Sequence, residues 1–245
     1  MIDGERSRLT PELRLQLLAL LAQDDEPGIA MTYDEFLNWA DEDTLAEWVN
    51  GKVIMTSLAS LRHQLIAQFL GRILAGYVEI GHLGIVVSAP FQMKLEQSGR
   101  EPDVLFVAEA HSDRLHATYL DGSADLVVEI LSPESVGRDR GEKFYEYERA
   151  GIPEYWLIDN ATQRAEFYQL DERGRYQLVA PGADGVYHSK ALPGFWLEVA
   201  WLWRDPLPSV EQTLLATAGE RYAQYLLEQL RQQGFSGETD KLAGG

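Results

Sequence analysis

Three side chains set the chemistry this chain could carry. They are Asp103 at the head of PDVLFV, Glu129 inside DLVVEIL, and Lys143 in the segment GEKFYEYERA that follows. Side chains alternate across a strand. Asp125, Val127, Glu129 and Leu131 therefore share one face of the second run, with Leu126, Val128 and Ile130 on the other. A run this apolar reads as a strand covered on both sides. A carboxylate there is costly unless it is paired, protonated or bound to a metal. Two acids on neighbouring strands with a lysine nearby suit a divalent-metal phosphodiesterase site. Hard cations such as Mg²⁺ or Mn²⁺ take oxygen ligands and keep several waters. They polarise a phosphate and lower the pKa of a bound water. Lys143 would orient that water or stabilise charge on the phosphoryl oxygens.

Each of these residues also has a plainer reading. Asp103 is an acid at a strand start, Glu129 a buried salt-bridge partner of Lys143, and Lys143 a solvated helix lysine. Further candidates surround them. Glu47, in AEWVNGKVIM, is either a third metal ligand or a solvent-facing hairpin residue. His63 either contacts a phosphate or Glu47, or simply occupies a helix first turn. Arg138 and Arg140 either grip a phosphate backbone or are surface charge. Tyr145, Tyr147, Tyr155 and Trp156 could stack on bases, although aromatics at such spacing are more often core.

These residues must be positioned by elements the pattern predicts. Thr32 and Glu35 form a capping-box signature for a short helix with Phe36 and Trp39. Asn50-Gly51 predicts a two-residue hairpin turn. Ser60 caps a helix whose apolar face runs from Leu65 to Tyr77. IVVSAPFQMKLE predicts one long strand or two short ones. The polar loop 109–123 is expected as a rim, and Asp139 with Glu142 as a capping box for a helix through Ala150. EYWLID, RAEFYQL, RYQLVAP and FWLEVAWLW predict further strands. Ser209 and Gln212 begin one long helix with Leu214, Tyr222, Leu226 and Leu230 on a stripe. The order implies an α/β fold: a mixed sheet flanked by helices, with a β-rich extension and a C-terminal helix. That helix either lids the domain or makes a homodimer.

Composition narrows the classes. Without cysteine there is no disulfide framework and no thiolate metal site, so a metal needs oxygen or the five histidines. The apolar stretch LQLLALLA is too short to span a bilayer, and no signal peptide is evident. A cytoplasmic protein without membrane partners is the expectation. The net charge of −18 weighs against a broad nucleic-acid surface. It leaves room for a local basic patch and for bound cations.

EWVNGKVIM, SLRH, PDVLFV, DLVVEILSPES, RDRGEKFYEYERAGIPEYWLID and LPGFWLEV, in this order, resemble the Uma2 family. This family is also called DUF820 and lies within the PD-(D/E)-x-K nuclease superfamily. The resemblance covers roughly residues 31–203, with a helical extension at 1–30 and a helix and tail at 204–245. It implies a restriction-endonuclease-like core and a Mg²⁺-dependent site acting on DNA. Asp103 matches the first acid and Glu129 the second. Leu131 stands where the superfamily carries its lysine, and Lys143 matches the helix lysine that replaces it in this family. Glu47 and His63 match polar positions upstream. Two rival functions are a non-catalytic module on the same fold, with an assembly or regulatory role, and a metal-free two-carboxylate enzyme such as a glycoside hydrolase.

Overall fold

The structure is a computed structural model, and it describes residues 30–39, 46–55, 59–132 and 135–233. The helical part of the extension expected at 1–30 and the tail beyond Gln233 lie outside the described residues.

Local chemistry sets the first elements. In α1 (Tyr33–Trp39) the Thr32 hydroxyl accepts the Glu35 N–H at 3.2 Å, and the Glu35 carboxylate accepts the Thr32 N–H at 2.8 Å. Strands β1 (Ala46–Val49) and β2 (Lys52–Met55) are joined by Asn50 and Gly51, both at positive φ as a type I′ turn requires. Ser60 caps α2 (Leu61–Gly81) by accepting the His63 N–H.

IVVSAPFQMKLE forms two strands that separate into different sheets. These are β3 (Gly84–Ser88) and β4 (Gln92–Lys94). After them come β5 (Ser98–Arg100) and β6 (Val104–Ala108). The polar loop is more ordered than expected. It contains a 3₁₀ turn at Glu109–Arg114 and strand β7 (Tyr119–Asp121), which pairs in parallel with β4. Next are β8 (Leu126–Ile130), α3 (Val136–Arg140), α4 (Glu142–Ala150), β9 (Glu154–Asp159) and β10 (Arg164–Leu170). The predicted capping box at Asp139 is not used. The helix divides at Gly141, and Asp139 is buried in α3 instead, because its carboxylate is drawn to a lysine described below. The chain continues through β11 (Tyr176–Leu178), β12 (Val186–His188) and β13 (Trp196–Glu198). The long C-terminal helix is two helices, α5 (Val210–Ala218) and α6 (Glu220–Gln232), because Gly219 takes a non-helical conformation between them.

The central sheet runs β11-β10-β9-β8-β6-β3, with β8 and β9 parallel and the other neighbours antiparallel. A smaller sheet runs β2-β1-β5-β4-β7. Alternation assigns the two faces of β8 as the pattern predicted. Leu126, Val128 and Ile130 pack with α2, Phe195 and Leu214, while Val127 and Leu131 pack with Tyr147 of α4. The mixed α/β fold expected from the element order, with its sheet flanked by helices, is the observed one. Among the described residues no helix is long and apolar enough to cross a membrane.

Candidate active site

Strand register brings the acids together. β6 and β8 pair antiparallel with Val104 opposite Val128, so one step further Asp103 stands opposite Glu129 on the face toward α4. The Asp103 Oδ2 accepts the Ile130 N–H at 2.7 Å and lies 3.3 Å from the His63 Nε2. Asp103 Oδ1 has no partner among the described residues. In the smaller sheet β1 and β5 pair with Trp48 opposite Gly99, which sets Glu47 opposite Arg100. Gly99 is required there, since a Cβ would collide with the Tyr33 ring.

Lys143 joins the two sheets. It lies in the first turn of α4, almost wholly buried. Its Nζ is 3.0 Å from Glu129 Oε1, 3.1 Å from Glu47 Oε1 and 3.3 Å from Asp139 Oδ1. One turn later the Tyr147 hydroxyl donates to the same Glu129 oxygen at 2.9 Å. Glu129 Oε2 has no partner among the described residues. Glu47, expected as a third ligand, has both oxygens engaged. Oε1 meets Lys143 and the Glu101 N–H, and Oε2 lies 3.3 Å from an Arg100 Nη1. Arg100 is completely buried and also contacts Glu142 at 3.0 Å and Glu146 at 2.7 Å.

One ammonium thus serves three buried carboxylates, and two of them, Glu129 and Glu47, stand apart in protonation. Burial pushes Glu129 up to about 8; Lys143 opposes this, while Asp139, Asp103 and Glu47 add to it. Burial also pushes Glu47 up, but Lys143 and Arg100 outweigh it and hold the carboxyl down at about 2. Burial opposes the charge on Lys143, yet Glu129, Glu47 and Asp139 keep it protonated well above its ordinary range. Glu101 is pushed up to about 7 by burial, partly offset by its bond from Gln92, with Glu47 adding to the rise. His63 is pulled down by burial and raised more strongly by Asp103.

These groups line a cleft of about 360 Å³. Its wall holds the carboxylates of Glu47, Glu101, Asp103, Glu129 and Asp139, and the cations Lys143 and Arg138. The donor set fits Mg²⁺ or Mn²⁺, since Asp103 and Glu129 each hold one oxygen in place and leave the other free. Among the described residues no three His, Asp or Glu side chains gather as a complete ligand set. The protein's share would be two carboxylates, with water and phosphate completing the shell. A wider groove of about 640 Å³ runs along the C-terminal half of α4, and it contains none of Asp103, Glu129 or Lys143.

The Uma2 family model, described as "Putative restriction endonuclease", matches residues 33–200. The chain belongs to the Uma2 family. A Synechocystis protein, sll1609, described as uncharacterized, is 31% identical over 147 residues, spanning 57% of this chain and 80% of its own length. A solved structure described as "a putative nuclease belonging to DUF820", from Anabaena variabilis, matches with a TM-score of 0.61 at 18% identity. It covers 71% of this chain and 97% of that one, a likeness in fold.

Other sequence candidates fall differently in this Uma2 chain. Leu131, at the superfamily's lysine position, is core beneath α4. Arg138 lines the cleft. Arg140 turns away, with its guanidinium 2.7 Å from Glu166 and 3.5 Å from Asp159. Tyr155 and Trp156 are core, Tyr147 holds Glu129, and Tyr145 is exposed. Sequence reasoning missed Arg100, Glu101, Asp139 and Glu146. Asp139 was within reach, because it stands four residues before Lys143 and so shares its helical face. Nothing in the local pattern marks Arg100, whose three partners come from β1 and α4.

Proposed function

We propose that this chain is a divalent-metal-dependent endonuclease that hydrolyses DNA phosphodiester bonds. Asp103 and Glu129 are the metal-holding residues and Lys143 the group beside the attacking water. The observation that carries this is the pair of opposed strand carboxylates, each with one oxygen held and one free, joined to a buried lysine on a single cleft. When bound, Mg²⁺ or Mn²⁺ supplies Lewis acidity toward the phosphate and a more acidic water. The chain's own residues do the positioning. The Ile130 N–H fixes the Asp103 rotamer, and Tyr147 and Lys143 fix that of Glu129. Lys143 offers a charge that Glu47 and Asp139 hold in place, so its ammonium needs little reorganisation as charge builds on the phosphoryl oxygens. The engagement of both Glu47 oxygens supports a role in placing Lys143.

Titration calorimetry of Mn²⁺ and Mg²⁺, with plasmid nicking alongside, tests this. The parent binds and nicks; folded Asp103→Asn and Glu129→Gln variants lose binding and drop activity by about 10³-fold. A folded parent that neither binds metal, alone or with duplex present, nor cuts DNA would overturn the reading. That outcome favours a non-catalytic module, a reading supported by the three carboxylates that already occupy Lys143. A homodimer would set two clefts on one duplex, with the exposed Leu226, Leu227 and Leu230 of α6 as its apolar contact; sedimentation velocity checks the mass.

A further inference from the structure

A cleft that admits nucleic acid must overcome its own charge. Five carboxylates line it, and its buried lysine is shared among three of them. A bound divalent ion cancels two of those charges and leaves the wall negative. A phosphodiester therefore needs a further cation that no carboxylate has claimed. Two arginines stand two residues apart on α3, and the structure separates them. Arg140 is committed, at 2.7 Å to the buried Glu166 and 3.5 Å to Asp159, and it ties α3 to β9 and β10. Arg138 lies in the cleft wall beside Ser135 and Asp139, and makes no ion pair among the described residues. Its Nε is buried and has no hydrogen-bond partner; the Nε of Arg140 is in the same state, so the two differ in their terminal nitrogens, which in Arg140 are held by Glu166 and Asp159. A buried donor left unmade costs on the order of 1–3 kcal/mol, and in a folded protein such a group calls for an explanation.

We infer that Arg138 is the phosphate anchor of the cleft, its guanidinium taking the non-bridging oxygens of a backbone phosphate of the bound DNA strand. This rests on the nuclease reading of the same site. A guanidinium suits the task because its planar fork presents paired donors to phosphate and stays charged at any working pH. Position suits it as well. α3 precedes the helix that carries Lys143 and contributes Asp139 to the lysine's partners, so Arg138 is held against the acidic wall without being neutralised by it. Arg140, on the same short helix, is the internal control.

The test is binding of a labelled DNA duplex to the full chain, by fluorescence anisotropy. Ca²⁺ replaces Mg²⁺, gels verify that the duplex stays intact, and thermal melts verify that each variant is folded. Salt is varied from about 50 to 200 mM. Arg138→Gln is expected to weaken binding about five- to tenfold and to lower the slope of log K against log salt by about one. Arg138→Lys keeps the slope and recovers part of the affinity, since charge survives and the bidentate fork does not. Arg140→Gln keeps the slope. A parent that binds duplex while Arg138→Gln shows an unchanged slope overturns the anchor and leaves the nuclease reading intact. A folded parent that binds no duplex at the lowest salt overturns both.

Discussion

Glu129 and Glu154 are both buried glutamates on the neighbouring parallel strands β8 and β9, yet the fold treats them in opposite ways. Glu154 is saturated. Oε1 accepts the Trp156 indole N–H and the Tyr187 hydroxyl, each at 2.6 Å. Oε2 accepts the Ser189 hydroxyl and the Lys190 and Ala191 amides at 3.0, 2.8 and 2.7 Å. Five uncharged donors surround it, and through them it fastens the turn after β12 to the central sheet. Glu129 has one oxygen held by a tyrosine and a shared lysine, the other without a partner among the described residues, and three further carboxylates pressing on it. A glutamate that serves the fold is given donors until its charge is satisfied. Glu129, a metal-holding residue in the proposed nuclease, is left short of them, and its protonation becomes negotiable.

Removing the shared cation breaks that contrast most severely. Lys143→Met leaves Glu129, Glu47 and Asp139 facing one another without the ammonium they share, and should cost about 3–5 kcal/mol in urea unfolding of the metal-free protein. Saturating Mn²⁺ should restore part of this loss, whereas an unchanged melt would mean the carboxylates are not coupled through Lys143. Smaller is the effect of Glu154→Gln. The amide turns an acceptor into a donor among donors, so stability should fall by about 2 kcal/mol while the metal titration stays that of the parent.

The third effect is on pH dependence. The Glu129 carboxyl is raised in the folded state from an ordinary 4.5 to about 8. Between those values the folded protein holds a proton that the unfolded chain releases. The metal-free protein should therefore lose stability as pH rises through that window, and level off above it. Glu47 acts in the opposite sense. Held down at about 2, it contributes stability above 4.5 that is lost as pH falls toward 2. Denaturant midpoints in EDTA across this range check both signs, and Glu129→Gln should shrink the alkaline decline to the share that Glu101 and His63, both also raised, contribute. A decline undiminished in Glu129→Gln would place the uncompensated proton elsewhere.

Much of this was legible without coordinates because it is local. The Asn50-Gly51 turn, the Thr32–Glu35 box, the Ser60 cap and the two faces of β8 depend on neighbours within a few residues. What failed depends on competition between local and distant partners. Asp139 reads as a cap, but a buried lysine outbids the helix terminus for its carboxylate. The helix after Ser209 reads as continuous, but Gly219 lets the chain turn. Leu214 then packs against Gly76 of α2, and Arg221 donates to the Tyr77 hydroxyl. IVVSAPFQMKLE reads as one long strand or two short ones, and pairing settles it as two: β3 joins β6 in the central sheet, while β4 joins β5 and β7 in the smaller one.

The sequence by itself determined which strand would be buried on both faces, that Asp103, Glu129 and Lys143 were the residues to follow, and the order of the elements that carry them. It could do so because side-chain period and capping are short-range properties. Only the tertiary structure decided which oxygens are held and which are free, that Arg100 and Glu47 stand opposite each other beneath Lys143, and that Arg138 rather than Arg140 faces the cleft. Those outcomes are set by strand register and helix packing between segments tens of residues apart. A buried charge takes its meaning from whichever partners that packing brings within a few ångströms.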